Sequence, residues 1–229
     1  MYSYENETTK NFATQNLTDH RIARHLRRTH PLRETIRFYS IKNGCILWLE
    51  SFLELTACLL REFDPSITAY ATQPKRFRYP VGGKSFLYTP DAAVLFCDNS
   101  QQFEEVKPWS SFKSKSVSQG FKRLQVVFEH DVGIPLVHNP ALDGSNCKTA
   151  LNLELLYRYL GLERKTENIL LALDLAPNKT SVGNLIEVIL AHQLPAYLAY
   201  QTIALGHYKY SPQDSLLDLQ TQLQRSDSC

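Results

Sequence analysis

The stretch DAAVLFCDNSQQFEEVK, from Asp91 to Lys107, decides the fold, because it contains two strand-like runs separated by turn-forming residues. Residues 91–96 and 102–107 have the apolar and alternating composition of short strands, so the pattern predicts an antiparallel hairpin. This hairpin places Asp91 opposite Glu105 or its neighbours. Two registers remain open: one directs Asp91 to the face of Glu105, and a shift by one residue directs it to the other face.

Glu105 and Lys107 point to one face of the predicted strand, because side chains in a strand repeat every two residues. Mg²⁺ prefers oxygen ligands, so Asp91, Glu105 and the backbone carbonyl of Val106 are candidate ligands for Mg²⁺, with Mn²⁺ as a substitute. Lys107 is a candidate for orienting an attacking water or stabilising charge on phosphorus. The pattern therefore predicts either phosphodiester hydrolysis or a solvated strand face on which Glu and Lys alternate.

Upstream of the hairpin, the periodicity predicts a strand over residues 35–40 and an amphipathic helix over residues 47–63. Glu50 and Glu54 lie four residues apart and would share one face of this helix. One of the two is a candidate to complete the metal site. A solvated acidic face is the alternative.

Further short strands and a second helix are predicted around the hairpin. The strands cover residues 67–72, 75–79, 85–88 and 134–137, and the helix covers residues 113–130. Val81-Gly82-Gly83-Lys84 contains a fragment of a phosphate-binding loop, but the full pattern and its strand-to-helix context are missing, so a hairpin turn is expected. The order of helix, several strands, helix and strand indicates an α/β core.

A cluster of turn formers at residues 139–146 marks a candidate domain boundary. Beyond it, helices are predicted over residues 151–162, 167–175 and 182–192, the third with Thr180 or Ser181 as its N-cap. Alternating aromatic and polar residues predict a β-ribbon over 197–210, with Tyr197, Tyr200, Tyr208 and Tyr210 packing on the helices, and a final helix is predicted over 214–223. Three helices followed by a ribbon favour a winged-helix module.

The charge of the chain is nearly balanced, with 25 basic and 23 acidic residues, so a surface that binds polyanions must arise from local segregation. Residues 20–37 form one basic segment, interpreted as a phosphate-contacting arm or, alternatively, as a solvated helix face. A second basic segment without acidic residues follows Lys107. The candidate DNA contacts in these segments are Arg21, Arg24, Arg27, Arg28, Lys113, Lys115, Lys122 and Arg123.

Trp109 and Phe112 follow the predicted active-site strand directly. Aromatic faces accept any base, so these side chains are candidates for stacking at an opened DNA end. Ordinary packing is the equal alternative.

The composition of the 229 residues, 43% hydrophobic and 21% charged, is that of a folded soluble protein. The five cysteines contain no Cys-x-x-Cys pair, which argues against a disulfide framework and a zinc ribbon. No leader is expected at the N-terminus, and the longest apolar stretch, Ile46 to Leu60, is interrupted by two glutamates. The sequence therefore predicts a cytoplasmic protein without membrane association.

Five motifs occur in order between Ser40 and Pro108. They are Glu50-Ser51-Phe52-Leu53-Glu54, Glu62-Phe63-Asp64-Pro65, Gln73-Pro74, Tyr88-Thr89-Pro90-Asp91 and Glu105-Val106-Lys107-Pro108. In combination they strongly resemble TnsA, the endonuclease subunit of heteromeric cut-and-paste transposases, including those of CRISPR-associated transposons.

The resemblance implies a restriction-endonuclease-like core, a mixed sheet flanked by helices, with a mainly α, winged-helix-like C-terminal domain. The corresponding boundaries are a basic arm with the first strand in residues 1–40, the catalytic domain in 41–146 and the C-terminal domain in 147–229.

The active site that the resemblance implies uses one helix glutamate, one aspartate and an acid-or-glutamine-x-lysine strand. These positions fall on Glu54, Asp91, Glu105 and Lys107, with Glu54 rather than Glu50 as the helix ligand. TnsA proteins can carry glutamine where this chain has Glu105, and a glutamate at this position is the commoner nuclease pattern. The implied Mg²⁺ ligands are Glu54, Asp91, Glu105 and the Val106 carbonyl.

The implied activity is hydrolysis of the non-transferred strands at the 5′ ends of the element, in double-stranded DNA at transposon ends. A TnsB-type transposase would cut the 3′ ends, and a TnsC-type AAA+ ATPase would engage this subunit, which would be nucleoid-associated when active. Two alternatives remain: a non-catalytic DNA-binding or assembly adaptor of the transposition complex, and a stand-alone restriction or repair nuclease.

Overall fold

The computed structural model describes residues 35–142, 147–211 and 215–226. The chain divides into two compact units, Met1–Asp143 and Gly144–Cys229. Each unit has its own sheet and its own helices.

In its described part, the first unit contains a β-hairpin, a helix, five further strands, a group of helices and a last strand. In chain order they are β1 (Ile36–Ser40), β2 (Cys45–Leu49), α1 (Phe52–Phe63), β3 (Ile67–Thr72), β4 (Phe77–Val81), β5 (Lys84–Tyr88), β6 (Ala92–Phe96), β7 (Gln101–Val106), a 3₁₀ helix (Trp109–Lys113), α2 (Lys115–Val127), a π-helix (Phe128–Val132) and β8 (Leu136–Asn139).

The start of α1 corrects the predicted helix over residues 47–63. Leu47 and Leu49 are buried and alternate with exposed neighbours on β2, which pairs with β1 in an antiparallel hairpin. This alternation has the period of a strand rather than of a helix. Ser51 is the N-cap of α1, and its side chain accepts a hydrogen bond from the Glu54 amide at 3.2 Å. Glu50 therefore lies outside the helix, and the expectation that it shares a helix face with Glu54 is wrong.

The central sheet of the first unit has the strand order β3-β6-β7-β8. The β3–β6 and β6–β7 pairs are antiparallel, and the β7–β8 pair is parallel. On one face, Phe103 of β7 packs with Phe128 and with partly buried residues of α2. On the other face, Val106 packs with Ala57 of α1. A mixed α/β unit with helices on both faces of a mixed sheet is therefore confirmed.

The pairing of β6 with β7 settles the register that the sequence left open. Ala92 pairs with Glu104, and Ala93 pairs with Phe103. This is the register that directs Asp91, one residue before the strand, toward the side of Glu105.

The β4–β5 hairpin confirms the predicted turn at residues 81–84. Val81 pairs with Lys84, and the two residues between them, Gly82 and Gly83, have φ angles of 56° and 78°. Glycine tolerates this left-handed region, which two-residue hairpin turns require. The segment is therefore a turn between two strands.

The second unit contains helices around a small antiparallel sheet of order β10-β11-β9. Its elements are α3 (Cys147–Leu160), α4 (Thr166–Leu175), β9 (Lys179–Ser181), α5 (Val182–Ala191), α6 (Tyr197–Ala204), β10 (Tyr208–Lys209) and β11 (Gln222–Arg225). Ser181 is the N-cap of α5, as predicted, and accepts a hydrogen bond from the Asn184 amide at 3.2 Å.

Two predictions for the second unit are wrong. The expected ribbon over residues 197–210 is mostly the helix α6, because Leu198 with Thr202 and Ala199 with Ile203 bury one face at a spacing of four. The expected final helix over residues 214–223 is absent from its described part. Asp218 there accepts hydrogen bonds from the Gln220 amide and the Thr221 hydroxyl, a local pattern that competes with helix formation.

Among the helices in the described parts of the chain, none combines the length and the apolar character needed to cross a membrane.

Candidate active site

Asp91 lies where the β6–β7 ladder ends. Its backbone amide donates to the Glu104 carbonyl at 2.9 Å, and its side-chain Oδ2 accepts a hydrogen bond from the Val106 amide at 2.7 Å. The N–H and the C=O of a strand residue point to the same side, so the Val106 carbonyl is directed toward Asp91 as well. The end of β7 therefore presents both backbone and carboxylate oxygens.

Glu105 is buried on β7, and two side chains hold its carboxylate. The Tyr88 hydroxyl donates to its Oε2 at 2.5 Å, and the Lys107 ammonium forms an ion pair with its Oε1. The Lys107 side chain is 44% exposed, whereas that of Glu105 is 7% exposed. The lysine thus links a buried carboxylate to the solvent-facing side of the site.

Glu54 lies in the first turn of α1. Its carboxylate accepts hydrogen bonds from the Ser51 hydroxyl and the Glu50 amide, both at 3.1 Å, while its own amide donates to Ser51. This reciprocal arrangement is a variant of the capping box, in which the carboxylate reaches the Glu50 amide instead of the amide of the N-cap residue Ser51. It fixes the direction of the Glu54 side chain at the start of the helix.

Electrostatic coupling connects Glu54 with Asp91. Burial raises the pKa of Glu54; the hydrogen bond from the Glu50 amide opposes this, and the charge of Asp91 raises the pKa further. Burial also raises the pKa of Asp91, with a smaller increase from the charge of Glu50, while the Val106 amide, Lys107 and Arg61 act in the opposite direction. Two carboxylates that disfavour each other's ionisation are stabilised by a proton or by a nearby cation.

Tyr88 and the pair of Arg61 and Glu104 are parts of the site region that the sequence did not predict. Burial raises the pKa of Tyr88, and the charge of Asp91 adds to this, which keeps the hydroxyl protonated as a donor to Glu105. The sequence gives only a weak signal that Tyr88 belongs to the site. Tyr88 precedes Asp91 by only three residues, but it lies on the separate β4–β5 hairpin and not on the central sheet.

Arg61 of α1 forms a buried ion pair with Glu104 at 2.6 Å. Asn139 and Gln102 donate to the same carboxylate at 2.7 and 2.8 Å. Glu104 points to the face of the sheet opposite that of Glu105, because adjacent residues alternate. This network anchors β7 to α1 and β8 behind the site.

His138 on β8 supports the chain just after β7. Its Nε2 lies 2.6 Å from the Lys107 carbonyl oxygen, and a carbonyl only accepts, so the ring donates this hydrogen bond. The predicted site residues Glu54, Asp91, Glu105 and Lys107 therefore come from α1, the start of β6 and the end of β7, and meet at one end of the sheet.

The predicted DNA contacts fall into two groups. Arg21, Arg24, Arg27 and Arg28 lie outside the described residues. Lys113 ends the 3₁₀ helix, and Lys115, Lys122 and Arg123 lie on α2; all four are exposed.

The oxygen donors at the sheet end have the chemistry that Mg²⁺ prefers. Within the described ranges, however, no group of three or more His, Cys, Asp or Glu side chains is already arranged around a cation position. One oxygen of Asp91 is bonded to the Val106 amide, and both oxygens of Glu105 are bonded, to Tyr88 and Lys107. The donor set fits the metal, and binding would require Lys107 to release Glu105.

No protein-family model matches this chain, and a search of curated proteins finds no match.

Proposed function

We propose that this chain is a metal-dependent DNA endonuclease of the TnsA type, which hydrolyses the non-transferred strands at the 5′ ends of a transposon. The observation that carries the proposal is the convergence of four predicted side chains. The charge of Asp91 raises the pKa of Glu54. Lys107 pairs with Glu105, and the Val106 amide at the end of the same strand donates a hydrogen bond to Asp91. These contacts join three separate elements at one sheet end.

The fold supports the same proposal at a coarser level. A mixed sheet with α1 on one face and α2 on the other is compatible with the restriction-endonuclease-like core that the sequence resemblance implies. The second unit, with four described helices and a small sheet, is the candidate for the winged-helix-like domain and for contacts with DNA and partner subunits.

In this mechanism Glu54, Asp91, Glu105 and the Val106 carbonyl would hold Mg²⁺, or Mn²⁺ in its place. When bound, the ion supplies Lewis acidity at the phosphate and a more acidic water. Lys107 orients the attacking water and stabilises the negative charge that develops on the phosphate oxygens. Water attacks phosphorus directly, the bond from phosphorus to the leaving oxygen breaks, and no covalent enzyme intermediate forms.

In this proposal the ion pair between Lys107 and Glu105 restrains the isolated subunit until DNA and its partners bind. While the pair is closed, the Lys107 ammonium is engaged with Glu105 and one carboxylate oxygen is occupied. Binding of DNA, and assembly with a TnsB-type transposase and a TnsC-type AAA+ ATPase, would favour the open arrangement. Lys113, Lys115, Lys122 and Arg123 would contact the DNA backbone.

The test is strand-specific cleavage of transposon-end DNA, with and without Mg²⁺ and the two partners. We expect Lys107→Ala and Asp91→Asn each to lower the cleavage rate by about 100- to 1000-fold. Lys84→Ala and Asp131→Asn are matched controls, because they remove the same charges from exposed positions, and they should leave the rate unchanged.

Three outcomes separate this proposal from its alternatives. Full cleavage by folded Lys107→Ala and Asp91→Asn variants would contradict the assigned site. Full cleavage by the wild-type chain without partners would indicate a stand-alone nuclease. DNA binding and complex assembly without cleavage under any condition would indicate an adaptor.

A further inference from the structure

An aromatic cluster follows β7 where the chain leaves the candidate active site. Trp109 opens the 3₁₀ helix two residues after Lys107. The Cα atoms of these two residues are therefore within about 8 Å of each other, since consecutive Cα atoms are 3.8 Å apart. The indole is nevertheless 60% exposed. A large aromatic side chain is thus presented to solvent beside the proposed catalytic lysine.

The imidazole of His138 joins this indole to the active-site strand. The ring centroids of Trp109 and His138 are 4.4 Å apart with an interplanar angle of 83°, and Phe112 contacts the same imidazole at 4.2 Å. His138 also bonds the Lys107 carbonyl at 2.6 Å. One ring therefore positions both Trp109 and the backbone of Lys107, so the indole is oriented relative to the site.

The chain segment that carries this cluster has only basic charged residues. Residues 108–128 contain no aspartate or glutamate. Lys113 and Lys115 follow the aromatic residues and are exposed. Exposed cations without intervening acids attract phosphates, and an exposed aromatic ring stacks on a nucleobase of any identity. An intact duplex keeps its bases stacked on one another, so the ligand that uses both features is a strand with unpaired bases.

We propose that Trp109 is a stacking platform for an unpaired DNA base next to the scissile phosphate, with Lys113 and Lys115 binding the adjoining phosphates. The position beside a scissile phosphate rests on the proposed endonuclease function. The binding surface itself depends only on the exposed indole, its contact with His138 and the basic segment. The substrate is thereby narrowed to DNA that is opened at the cleavage site.

The test uses Trp48→Phe in the full chain, which leaves Trp109 as the only tryptophan, because the chain has two. In EDTA, which prevents cleavage, a single-stranded oligonucleotide and a duplex with a frayed end should quench the Trp109 fluorescence, and a matched blunt duplex should not. Labelled oligonucleotides then measure affinity for the Trp109 variants. Trp109→Ala should bind unpaired DNA about 5- to 150-fold more weakly, and Trp109→Phe should retain most of the affinity.

A Lys113→Ala/Lys115→Ala variant separates charge from stacking. It should weaken binding of all DNAs and reduce the steepness of the fall of log affinity with log salt by about 2. The preference for unpaired ends should remain. If Trp48→Phe alters the fold, as judged by near-ultraviolet circular dichroism, the difference in quenching between wild type and Trp109→Phe gives the same measurement.

Several results would overturn the platform. Wild type and Trp109→Ala could bind unpaired DNA equally, or a blunt duplex and heparin could quench Trp109 as strongly as unpaired DNA. Loss of ATPase or transposase binding by Trp109→Ala, with normal DNA affinity, would assign the indole to a protein partner. Failure of cleavage in the wild type with intact quenching would instead reject the endonuclease proposal and leave the platform standing.

Discussion

Glu104 and Glu105 are adjacent on β7 and both are buried, but they lie in different surroundings. Glu104 accepts hydrogen bonds from Arg61, Asn139 and Gln102 behind the sheet. Glu105 lies at the front, where its partners are a tyrosine hydroxyl and a half-exposed lysine. One carboxylate is neutralised inside the fold, whereas the other is paired with a cation that solvent can reach.

The pKa shifts of the surrounding groups show the same contrast. Burial would raise the pKa of Glu104, but the charge of Arg61 and the three donated hydrogen bonds lower it. At the end of the sheet, burial raises the pKa of Asp91 and that of Glu54. A carboxylate neutralised by internal partners stabilises the fold, whereas carboxylates with raised pKa values are free to gain stabilisation from an external cation. The difference separates Glu104, which is paired inside the fold, from Asp91 and Glu54 of the candidate site.

The largest effect is expected for Arg61→Met, which leaves Glu104 buried without its counter-charge. The free energy of unfolding, measured by urea titration, should fall by about 3 to 5 kcal/mol. The double variant Arg61→Met/Glu104→Leu should recover most of this loss, because no uncompensated charge remains.

The matched control is Arg158→Met, which removes an arginine from an exposed pair with Glu154 at 3.7 Å. It should change the free energy of unfolding by less than about 0.5 kcal/mol. A cost for Arg61→Met as small as that of this control would mean that the Glu104 pair is not structural.

The next effect is an opposite pH dependence of the contributions of Glu104 and Asp91, measured as the free energy of unfolding in EDTA. Because the pKa of Glu104 is lowered in the folded chain, its contribution is complete above the ordinary value of about 4.3 and is lost as the pH falls through the folded value. Because the pKa of Asp91 is raised, its ionisation costs stability above the folded value, and that cost shrinks as the pH falls toward the ordinary value of about 3.9.

Substitution by the matching amide isolates each contribution. Glu104→Gln should lower the free energy of unfolding at neutral pH by about 1.5 to 3 kcal/mol and flatten the loss at acid pH. Asp91→Asn should raise the free energy of unfolding at neutral pH, since its amide oxygen can still accept the bond from the Val106 amide. Destabilisation by both variants would remove the proposed distinction between Glu104 and Asp91.

The smallest effect concerns the two serine N-caps. Ser51→Ala and Ser181→Ala each remove a side-chain acceptor at the start of a helix, so each should lower the free energy of unfolding by about 1 kcal/mol. Only Ser51 also donates to Glu54. The two variants should lose equal stability, but we expect Ser51→Ala to reduce the cleavage rate more than Ser181→Ala does. The measurement is a DNA cleavage assay below the unfolding temperature. Equal cleavage rates would mean that Ser51 does not position Glu54.

Local patterns predicted much of this arrangement. The alternation at Glu105 and Lys107 gave their common direction, and the turn after β6 limited the position of Asp91 to two registers. The hydrogen bonds between β6 and β7 select one of these registers. The sequence of the hairpin alone does not indicate which register forms. Arg61 and Glu104 are 43 residues apart, so their pairing depends on the packing of α1 behind β7.

The errors have a common physical origin. Residues 47–49 are apolar enough for either a helix or a strand, and the partner strand β1 decides between them through its hydrogen bonds. In the same way, aromatic and polar residues over 197–210 favour a ribbon, but burial at a spacing of four makes α6 the more stable structure. Tertiary packing overrides a short local pattern in both places.

The parallel pairing of β7 with β8 has a consequence for the order of events during synthesis. Antiparallel β6 and β7 can associate as soon as both strands and the short turn between them have emerged from the ribosome, but β8 follows only after the residues of α2. The strand that bears Glu105 therefore stays at an open edge until residue 139 has emerged. A nascent chain released before that point would lack both His138 and the edge protection that β8 provides.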